Sequence, residues 1–160
     1  PYDDNSFDAI TAAQAIHWFD HDKYWPEMAR IAKPGALFCA MGYNRFLGAE
    51  DIDALLINPI LDLIDHLWAP NNKLVWHGYD PDALNFPLKP IEMKTCPLTV
   101  SWTLSRYIDF LESWSATRKA REIPEISVQL DALIAEMLKD QNPDRVLDLE
   151  SNLFLMAGRF

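Results

Sequence analysis

The 160-residue sequence is poor in glycine and cysteine and contains no long apolar run. It has five glycines, and no two of them are separated by a single residue, so they cannot form the glycine-rich cradle that binds dinucleotides. The longest apolar stretches are interrupted by Asp, Asn or Pro before the ~20 residues that a membrane-spanning helix needs. The sequence therefore predicts neither a glycine-rich nucleotide loop nor a transmembrane helix.

Basic residues are also scarce relative to acidic ones. Lys and Arg number 14 against 24 Asp and Glu, which gives a net charge of −10. Because such a charge repels phosphate backbones and anionic lipid surfaces, we expect neither nucleic acid nor a membrane as a partner.

The two cysteines, Cys39 and Cys96, lie far apart in separate apolar segments and form no pair with metal-ligand spacing. This pattern favours buried thiols in a reducing compartment, and we interpret the protein as cytoplasmic. The chain opens with Pro1 and has no basic-then-apolar leader, so we expect a processed or truncated start.

The hydrophobic pattern predicts an α/β fold with a single core. The predicted strands cover residues 6–13, 36–43, 91–102 and 151–160. The predicted helices cover residues 20–31, 49–68 and 105–119, and a fourth begins at Pro124. The first strand, helix and second strand together predict one parallel βαβ unit, in which the first strand is buried.

Prolines and polar residues mark the predicted irregularities. Lys33-Pro34-Gly35 predicts a turn, and Pro59 should kink or divide the second helix. Pro97 favours an edge strand or a bulge, and Ser105 is the predicted helix cap. Residues 69–90 contain four further prolines and predict an ordered irregular segment over the surface.

The most informative stretch is DNSFDAITAAQAIHWFD, residues 4–20. It places a polar turn before the first strand, and His17 and Trp18 just beyond the strand's carboxyl end. In open α/β sheets ligands bind beyond the carboxyl ends of strands, so this stretch predicts part of a binding site.

The order strand, helix, K-P-G, strand, insertion, strand, two helices, strand resembles the second half of a class I S-adenosylmethionine-dependent methyltransferase. Three stretches, PYDDNSFDAITAAQAIHWFD, ARIAKPGALFCAMGYN and FLESWSATRKAR, more specifically resemble the trans-aconitate-methyltransferase-like group within methyltransferase type 11. SFDAIT with a later K-P-G is common to many such enzymes, whereas AAQAIHWFD is more specific. Together the matches extend over most of the chain.

The resemblance implies a Rossmann-like methyltransferase fold, of which this chain supplies the C-terminal half. Its last four strands would lie side by side with the final one antiparallel, and a helical insertion would occupy about residues 45–90. Residues 1–160 would then form a single domain, the C-terminal part of a methyltransferase domain. The family's glycine-rich cofactor loop has no counterpart here, so we expect that the sequence is cut just upstream of Pro1 and that it binds cofactor poorly alone.

The resemblance also implies a set of site residues at the end of the first strand. It places Ala13, Gln14 and Ala15 against the methionyl part of S-adenosylmethionine, although a tight strand exit would look the same. His17, the candidate catalytic residue, would act as a donor or weak base on the substrate side, and Trp18 would form an apolar wall. A packed His-Trp pair beneath the insertion explains these two residues equally well.

Further candidates lie elsewhere in the sequence. Tyr43 and Asn44 follow the second strand and could reach the same substrate pocket, unless Asn44 is only a turn residue. Trp114 and Arg118 match a family stretch near the substrate cavity, where Arg118 could pair with a carboxylate. An exposed arginine on a basic helix end is the alternative for Arg118.

We expect no metal site. His17, Asp20 and His21 have helical spacing, but a helix cap with solvated neighbours explains them better.

Two functional hypotheses follow from this sequence. The first is an enzyme that transfers a methyl group from S-adenosylmethionine to a small-molecule acceptor such as a carboxylic acid. The second is a catalytically inactive methyltransferase-like binding or dimerisation module, in which the exposed edge of the first strand pairs with another chain and forms a homo-oligomer.

Overall fold

The computed structural model describes residues 2–160, which divide into two compact units. The first unit contains the residues up to Arg45 together with Pro70–Leu98 and Asn152–Phe160. The second unit contains Phe46–Ala69 and Thr99–Ser151. Each unit is described by itself.

Four strands form one sheet in the order β1-β2-β4-β3. They are β1 (Phe7–Ala13), β2 (Ala32–Tyr43), β3 (Cys96–Thr103) and β4 (Val146–Arg159). β1 pairs with β2 in parallel, whereas β4 pairs with β2 in the antiparallel direction. The predicted antiparallel final strand is therefore confirmed, and so is the edge position that Pro97 predicted for β3.

Seven α-helices accompany the sheet in the described residues, and the predicted α/β class is confirmed. They are α1 (His21–Ile31), α2 (Glu50–Ile52), α3 (Asn58–Ile64), α4 (Asn72–Trp76), α5 (Leu104–Glu112), α6 (Ser115–Arg121) and α7 (Pro124–Asp140). Short 3-10 turns cover Ile16–Trp18 and Asp65–Leu67, and a π-helical segment covers Asp53–Ile57. No helix within residues 2–160 is long and apolar enough to cross a bilayer.

β1 is less buried than predicted. Of its seven residues, Ala12 is buried, while Asp8, Ala9, Thr11 and Ala13 are exposed. The reason is its place at the end of the strand order, where it has a neighbour on one side.

β2 begins before the predicted turn and contains it. Phe7 pairs with Ala32, but Ala9 pairs with Leu37, so residues 33–36 form an irregularity in the ladder. Gly35 lies there with φ +83°, a conformation that glycine adopts without strain. The K-P-G turn is therefore a bulge in β2 and does not separate two elements.

The segment that was predicted to run over the surface supplies core residues to the first unit. Tyr79 and Leu84 are fully buried in a cluster that also contains Trp25 and Phe38. The indole Nε1 of Trp25 donates to the carbonyl oxygen of Leu84 at 3.0 Å. The surface prediction was wrong because proline-rich irregular backbone can carry buried side chains wherever its polar groups find partners.

The predicted burial of both thiols was also only partly right. Cys39 on β2 is half-buried, and burial raises the pKa of its thiol. Cys96, at the start of the edge strand β3, is exposed.

In the second unit, Pro59 divides the predicted long helix as expected. Pro59 lies in the first turn of α3, and the π-helical segment Asp53–Ile57 immediately precedes it. Proline has no N–H, and its ring would clash with the carbonyl four residues earlier in a regular α-helix. A local π-helical turn is a common way to relieve such a disruption.

The predicted helix over residues 105–119 is two helices, and its cap lies two residues earlier than predicted. Thr103 is the N-cap of α5, and its hydroxyl accepts a hydrogen bond from the backbone N–H of Arg106 at 3.2 Å. The helix ends at Glu112, and α6 begins at Ser115. Pro124 does begin the following helix, as predicted.

The choice of cap can be tested with a matched pair of substitutions. Thr103→Ala should lower the free energy of unfolding by about 1 kcal/mol, because it removes the acceptor for an otherwise unpaired N–H. Ser105→Ala should change it by less than about 0.5 kcal/mol, since this exposed side chain provides no cap. Urea unfolding followed by circular dichroism measures both, and an equal loss in the two variants would contradict the assignment.

Candidate functional site at the carboxyl ends of β1 and β2

The parallel pairing of β1 and β2 brings the ends of both strands to the same edge of the first unit. Ala13 is the partner of Met41, and the backbone N–H of Gln14 donates to the carbonyl oxygen of Met41 at 2.9 Å. Residues that follow β1 therefore lie beside the end of β2. This is the location that the sequence predicted for a binding site.

The side chain of Gln14 connects the two strand ends. Its Nε2 donates to the carbonyl oxygen of Tyr43 at 3.2 Å, and its Oε1 accepts from the N–H of Tyr43 at 3.2 Å. Gln14 itself has φ +47°, in the left-handed region that non-glycine residues seldom occupy. The amide that we predicted to contact a cofactor is thus engaged with the backbone of β2.

Gly42 makes room for this arrangement. A Cβ atom at Gly42 would lie 2.7 Å from Oε1 of Gln14 and 2.6 Å from Cε2 of Phe154 on β4. Both distances are far below van der Waals contact, so a larger residue at this position would displace one of the two side chains.

His17 lies in the 3-10 turn that follows Gln14, and it is buried. The side chain is 4% exposed, and its Nδ1 is hydrogen-bonded to the hydroxyl of Tyr79 at 2.8 Å. Trp18 is 49% exposed, and its ring centroid lies 4.8 Å from that of His17. The two rings are in contact but differ in exposure: His17 is fixed inside, and Trp18 packs against it with about half of its surface exposed.

Tyr79 is the residue that sequence reasoning missed. It is 1% exposed, has φ +58°, and packs edge-on against Phe154 with the ring centroids 5.2 Å apart. A bulky residue in the left-handed region is uncommon, and such strain is concentrated at functional sites. The segment around Tyr79 has no periodic hydrophobic pattern that could have identified it. The neighbouring Gly78 is the one sequence signal for an unusual turn there.

Burial keeps both partners of this hydrogen bond neutral. It lowers the pKa of His17 to about 4 and raises the pKa of Tyr79 to about 12, in each case because desolvation disfavours the charged form. At neutral pH the pair is an uncharged imidazole and an uncharged phenol.

The polar residues Asp20 and His21, which follow His17, form contacts with residues close to them in the sequence. His21 Nε2 is hydrogen-bonded to the carbonyl oxygen of Ile16 at 2.9 Å, and Asp20 pairs with Lys23 at 2.6 Å. Residues 2–160 contain no group of three or more His, Cys, Asp or Glu side chains arranged to hold a metal ion.

The other predicted site residues of the first unit lie at the same strand ends. Ala13 is exposed, and Ala15, Tyr43 and Asn44 are half-buried. Their contacts with a cofactor or substrate stay predictions.

Trp114 and Arg118 belong to the second unit. The Trp114 ring packs between Trp68, at 5.7 Å, and Phe110, at 5.9 Å between centroids. Arg118 lies on α6 and is exposed. Their proposed roles in substrate binding also stay predictions.

Comparison with known proteins relates both the sequence of this region and the fold of the chain to methyltransferases. The sequence profile of a family described as "Methyltransferase domain" matches residues 1–40, which include β1, the turn with His17, and most of β2. The fold matches the solved structure of a protein assigned as a type II methyltransferase from Anaeromyxobacter dehalogenans, with a TM-score of 0.73 and 30% identity over 98% of this chain. The family match and the fold support a class I S-adenosylmethionine-dependent methyltransferase. Its fold is Rossmann-like, as the resemblance implied.

The curated relatives are similar over shorter stretches. An uncharacterized methyltransferase of Mycobacterium tuberculosis is 54% identical over 35 residues, which are 22% of this chain and 14% of that protein. A methyltransferase assigned in Dictyostelium discoideum is 26% identical over 113 residues, 69% of this chain and 42% of that protein. The chain covers 14% and 42% of these two curated relatives and 66% of the Anaeromyxobacter protein, so it spans less than two thirds of each of them.

The connection made by Gln14 predicts a specific change in hydrogen exchange. Gln14→Ala removes the acceptor of the Tyr43 N–H, so exchange of this amide should accelerate about 5- to 30-fold, which corresponds to a loss of about 1–2 kcal/mol. Because alanine meets the same left-handed constraint as glutamine, the comparison isolates the amide group. The Gly35 amide, bonded to the carbonyl of Phe160 at 2.8 Å, is the internal reference and should not change. Unchanged exchange at Tyr43 would contradict the connection.

The depressed pKa of His17 predicts a pH-dependent stability. The pKa is about 4 in the folded chain and about 6.5 in the unfolded chain, so the unfolded state binds the proton first as the pH falls. The free energy of unfolding should therefore decrease as the pH falls from about 6.5 to about 4. His17→Asn should flatten this dependence in urea titrations, while a substitution of the exposed His77 by Gln should leave it intact. An equal slope with and without His17 would rule out this residue as the source.

Proposed function

We propose that this chain is part of a cytoplasmic enzyme that transfers a methyl group from S-adenosylmethionine to a small-molecule acceptor, a carboxylic acid. The observation that supports it is the set of residues at the carboxyl ends of β1 and β2, of which those that follow β1 lie within residues 1–40, the region that matches the methyltransferase-domain family. Nucleic acid does not fit as the acceptor, because the net charge of −10 opposes association with phosphate backbones.

The residues after β1 fit the methionyl end of this cofactor. Ala13 and Ala15 have only methyl side chains, and Ala13 is exposed, so a ligand can approach the backbone closely there. Gln14 turns the chain through a left-handed conformation, and its amide is fixed on Tyr43. Gln14 would therefore hold the shape of the cofactor floor, while the backbone around it makes the contact.

The chain's own residues would orient the acceptor and exclude water. Bound S-adenosylmethionine supplies a methyl group on a sulfonium, which reacts with a lone pair of the acceptor in a collinear displacement. A carboxylate needs no base for this step, because it has already lost its proton at neutral pH. Buried His17 and the apolar ring of Trp18 then suffice to align a small acid, and alignment is the main source of rate in such a step.

A second candidate function rests on β1. This strand ends the sheet order, and three alternate residues along it, Ala9, Thr11 and Ala13, are exposed. Such an edge can pair with a strand of another copy, so a non-catalytic dimerisation module is the alternative.

Cofactor binding and methyl transfer by the complete gene product that contains these 160 residues distinguish the two functions. Calorimetry measures binding of S-adenosylmethionine, and transfer of a tritiated methyl group to trans-aconitate and other small carboxylic acids measures activity. We expect both, with turnover reduced about 10²-fold in His17→Ala, as for loss of an aligned donor. The matched control His77→Gln should leave turnover unchanged, since His77 is exposed and lies outside the site.

Two results would overturn the proposal. If the complete protein neither binds the cofactor nor transfers the methyl group, and sediments as a dimer, the alternative is correct. If His17→Ala and Trp18→Ala both keep full turnover, these residues do not belong to the site.

A further inference from the structure

The geometry points to Tyr79 as a positioning residue that fixes His17 in the tautomer with hydrogen on Nε2. His17 then presents a hydrogen-bond donor to the methyl acceptor and cannot act as a base. The tautomer follows from the structure of this chain alone, whereas the role toward the acceptor rests on the proposed function.

The direction of the hydrogen bond follows from the burial of the phenol. Tyr79 is 1% exposed, so its O–H proton needs an acceptor inside the protein. Within residues 2–160, the partner that the structure gives this hydroxyl is Nδ1 of His17, at 2.8 Å. A hydroxyl can donate one hydrogen bond, and Nδ1 can accept one only when it carries no hydrogen.

The opposite direction leaves a polar group unsatisfied. If Nδ1–H donated to the hydroxyl oxygen, the Tyr79 proton would be buried without an acceptor, at a cost of about 1–3 kcal/mol. Donation by Tyr79 satisfies this proton, and Nε2 of His17 has no protein partner among residues 2–160 in either tautomer, so the balance favours donation by Tyr79. Because the neutral ring carries one hydrogen, that hydrogen must reside on Nε2.

Both partners are held in place by their surroundings. The Tyr79 ring meets Phe154 edge-on at an interplanar angle of 89°, and Phe154 occupies the space that a side chain at position 42 would fill. On the other side, the turn that contains His17 is closed by hydrogen bonds from Trp18 N–H to Ala15 and from Phe19 N–H to Ile16. The pair therefore keeps its geometry without help from a ligand.

The Nε2–H group is the part of His17 left for recognition. Among residues 2–160 the structure gives this nitrogen no hydrogen-bond partner. A neutral N–H donor suits an oxygen with a free lone pair, and it cannot remove a proton from a phenol or an ammonium group. The acceptor class that fits is an oxyanion already ionised at neutral pH, of which a carboxylate is the common case.

Methyl transfer to a carboxylate, the reaction that this site fits, requires no base. In such a transfer a lone pair of the carboxylate oxygen would form the new O–C bond while the methyl C–S bond breaks, and the electron pair of that bond would go to sulfur. The products would be a methyl ester and a neutral thioether, with no proton released. A neutral donor at Nε2 can orient the second carboxylate oxygen throughout this change.

Nitrogen NMR of the 160-residue chain labelled in histidine tests the tautomer directly. At pH 7 we expect a pyridine-type shift for Nδ1 of His17 and a pyrrole-type shift for Nε2. In Tyr79→Phe the two nitrogens should move toward the average of both tautomers, because the donor that fixes Nδ1 is gone. Phenylalanine faces the same backbone strain as tyrosine, so the variant removes only the hydroxyl group.

Tyr24→Phe is the matched control, since Tyr24 is a half-buried tyrosine that packs on the same core cluster. It should leave the His17 shifts unchanged. A pyrrole-type Nδ1 in the unaltered chain, or shifts that do not respond to Tyr79→Phe, would overturn the inference whatever the activity of the protein.

The pH profile of the complete gene product tests the role toward the acceptor. With small carboxylic acids as acceptors, kcat/KM should be independent of pH from about 5 to 8, and Tyr79→Phe should lower it about 10-fold. A rate that rises with a pKa between 6 and 8 and that loses this step in Tyr79→Phe would identify His17 as a base and overturn this role. If the protein has no activity, the NMR result still decides the tautomer, so the two failures are distinguishable.

Discussion

Ala13 of β1 and Met41 of β2 are partners in a parallel ladder, and this register makes the two strands end at the same level. The consequence is that Gln14, the first residue after β1, lies beside Tyr43, the last residue of β2. A shift of the register by one residue would turn Gln14 away from Tyr43, since side chains alternate between the faces of a strand. The turn that carries His17 starts from this point, so its position depends on the same pairing.

The site combines backbone strain with hydrogen bonds that compensate for it. Gln14 and Tyr79 both have positive φ, which costs a non-glycine residue about 1–2 kcal/mol. Each of these side chains makes a specific hydrogen bond, to Tyr43 and to His17 respectively. The strain is thus located at the residues whose side chains connect separate parts of the first unit, where a rigid arrangement is useful for aligning a ligand.

Local patterns in the sequence were sufficient to predict β1, the turn before it and the types of residue that follow its carboxyl end. The polar turn before β1, the small apolar residues of the strand and the following His17 all lie where they were predicted. Tyr79 could not be predicted, because its partner is 62 residues away and the proline-rich segment around it has no hydrophobic period. The hydrogen bonds between the Gln14 amide and the backbone of Tyr43 could not be predicted for a similar reason. They depend on the register between two strands, which neither strand encodes by itself.

Burial affects the two members of the His17–Tyr79 pair in opposite directions, with one chemical result. Desolvation makes the imidazole a weaker base and the phenol a weaker acid, so transfer of the proton from oxygen to nitrogen is disfavoured from both sides. The hydrogen bond therefore stays between neutral groups, and its direction is set by which of them carries a proton that needs an acceptor. In an acidic protein this arrangement has a further advantage. A neutral donor that is fixed in place can orient an oxyanion without adding a buried charge, whose desolvation would have to be offset by a partner.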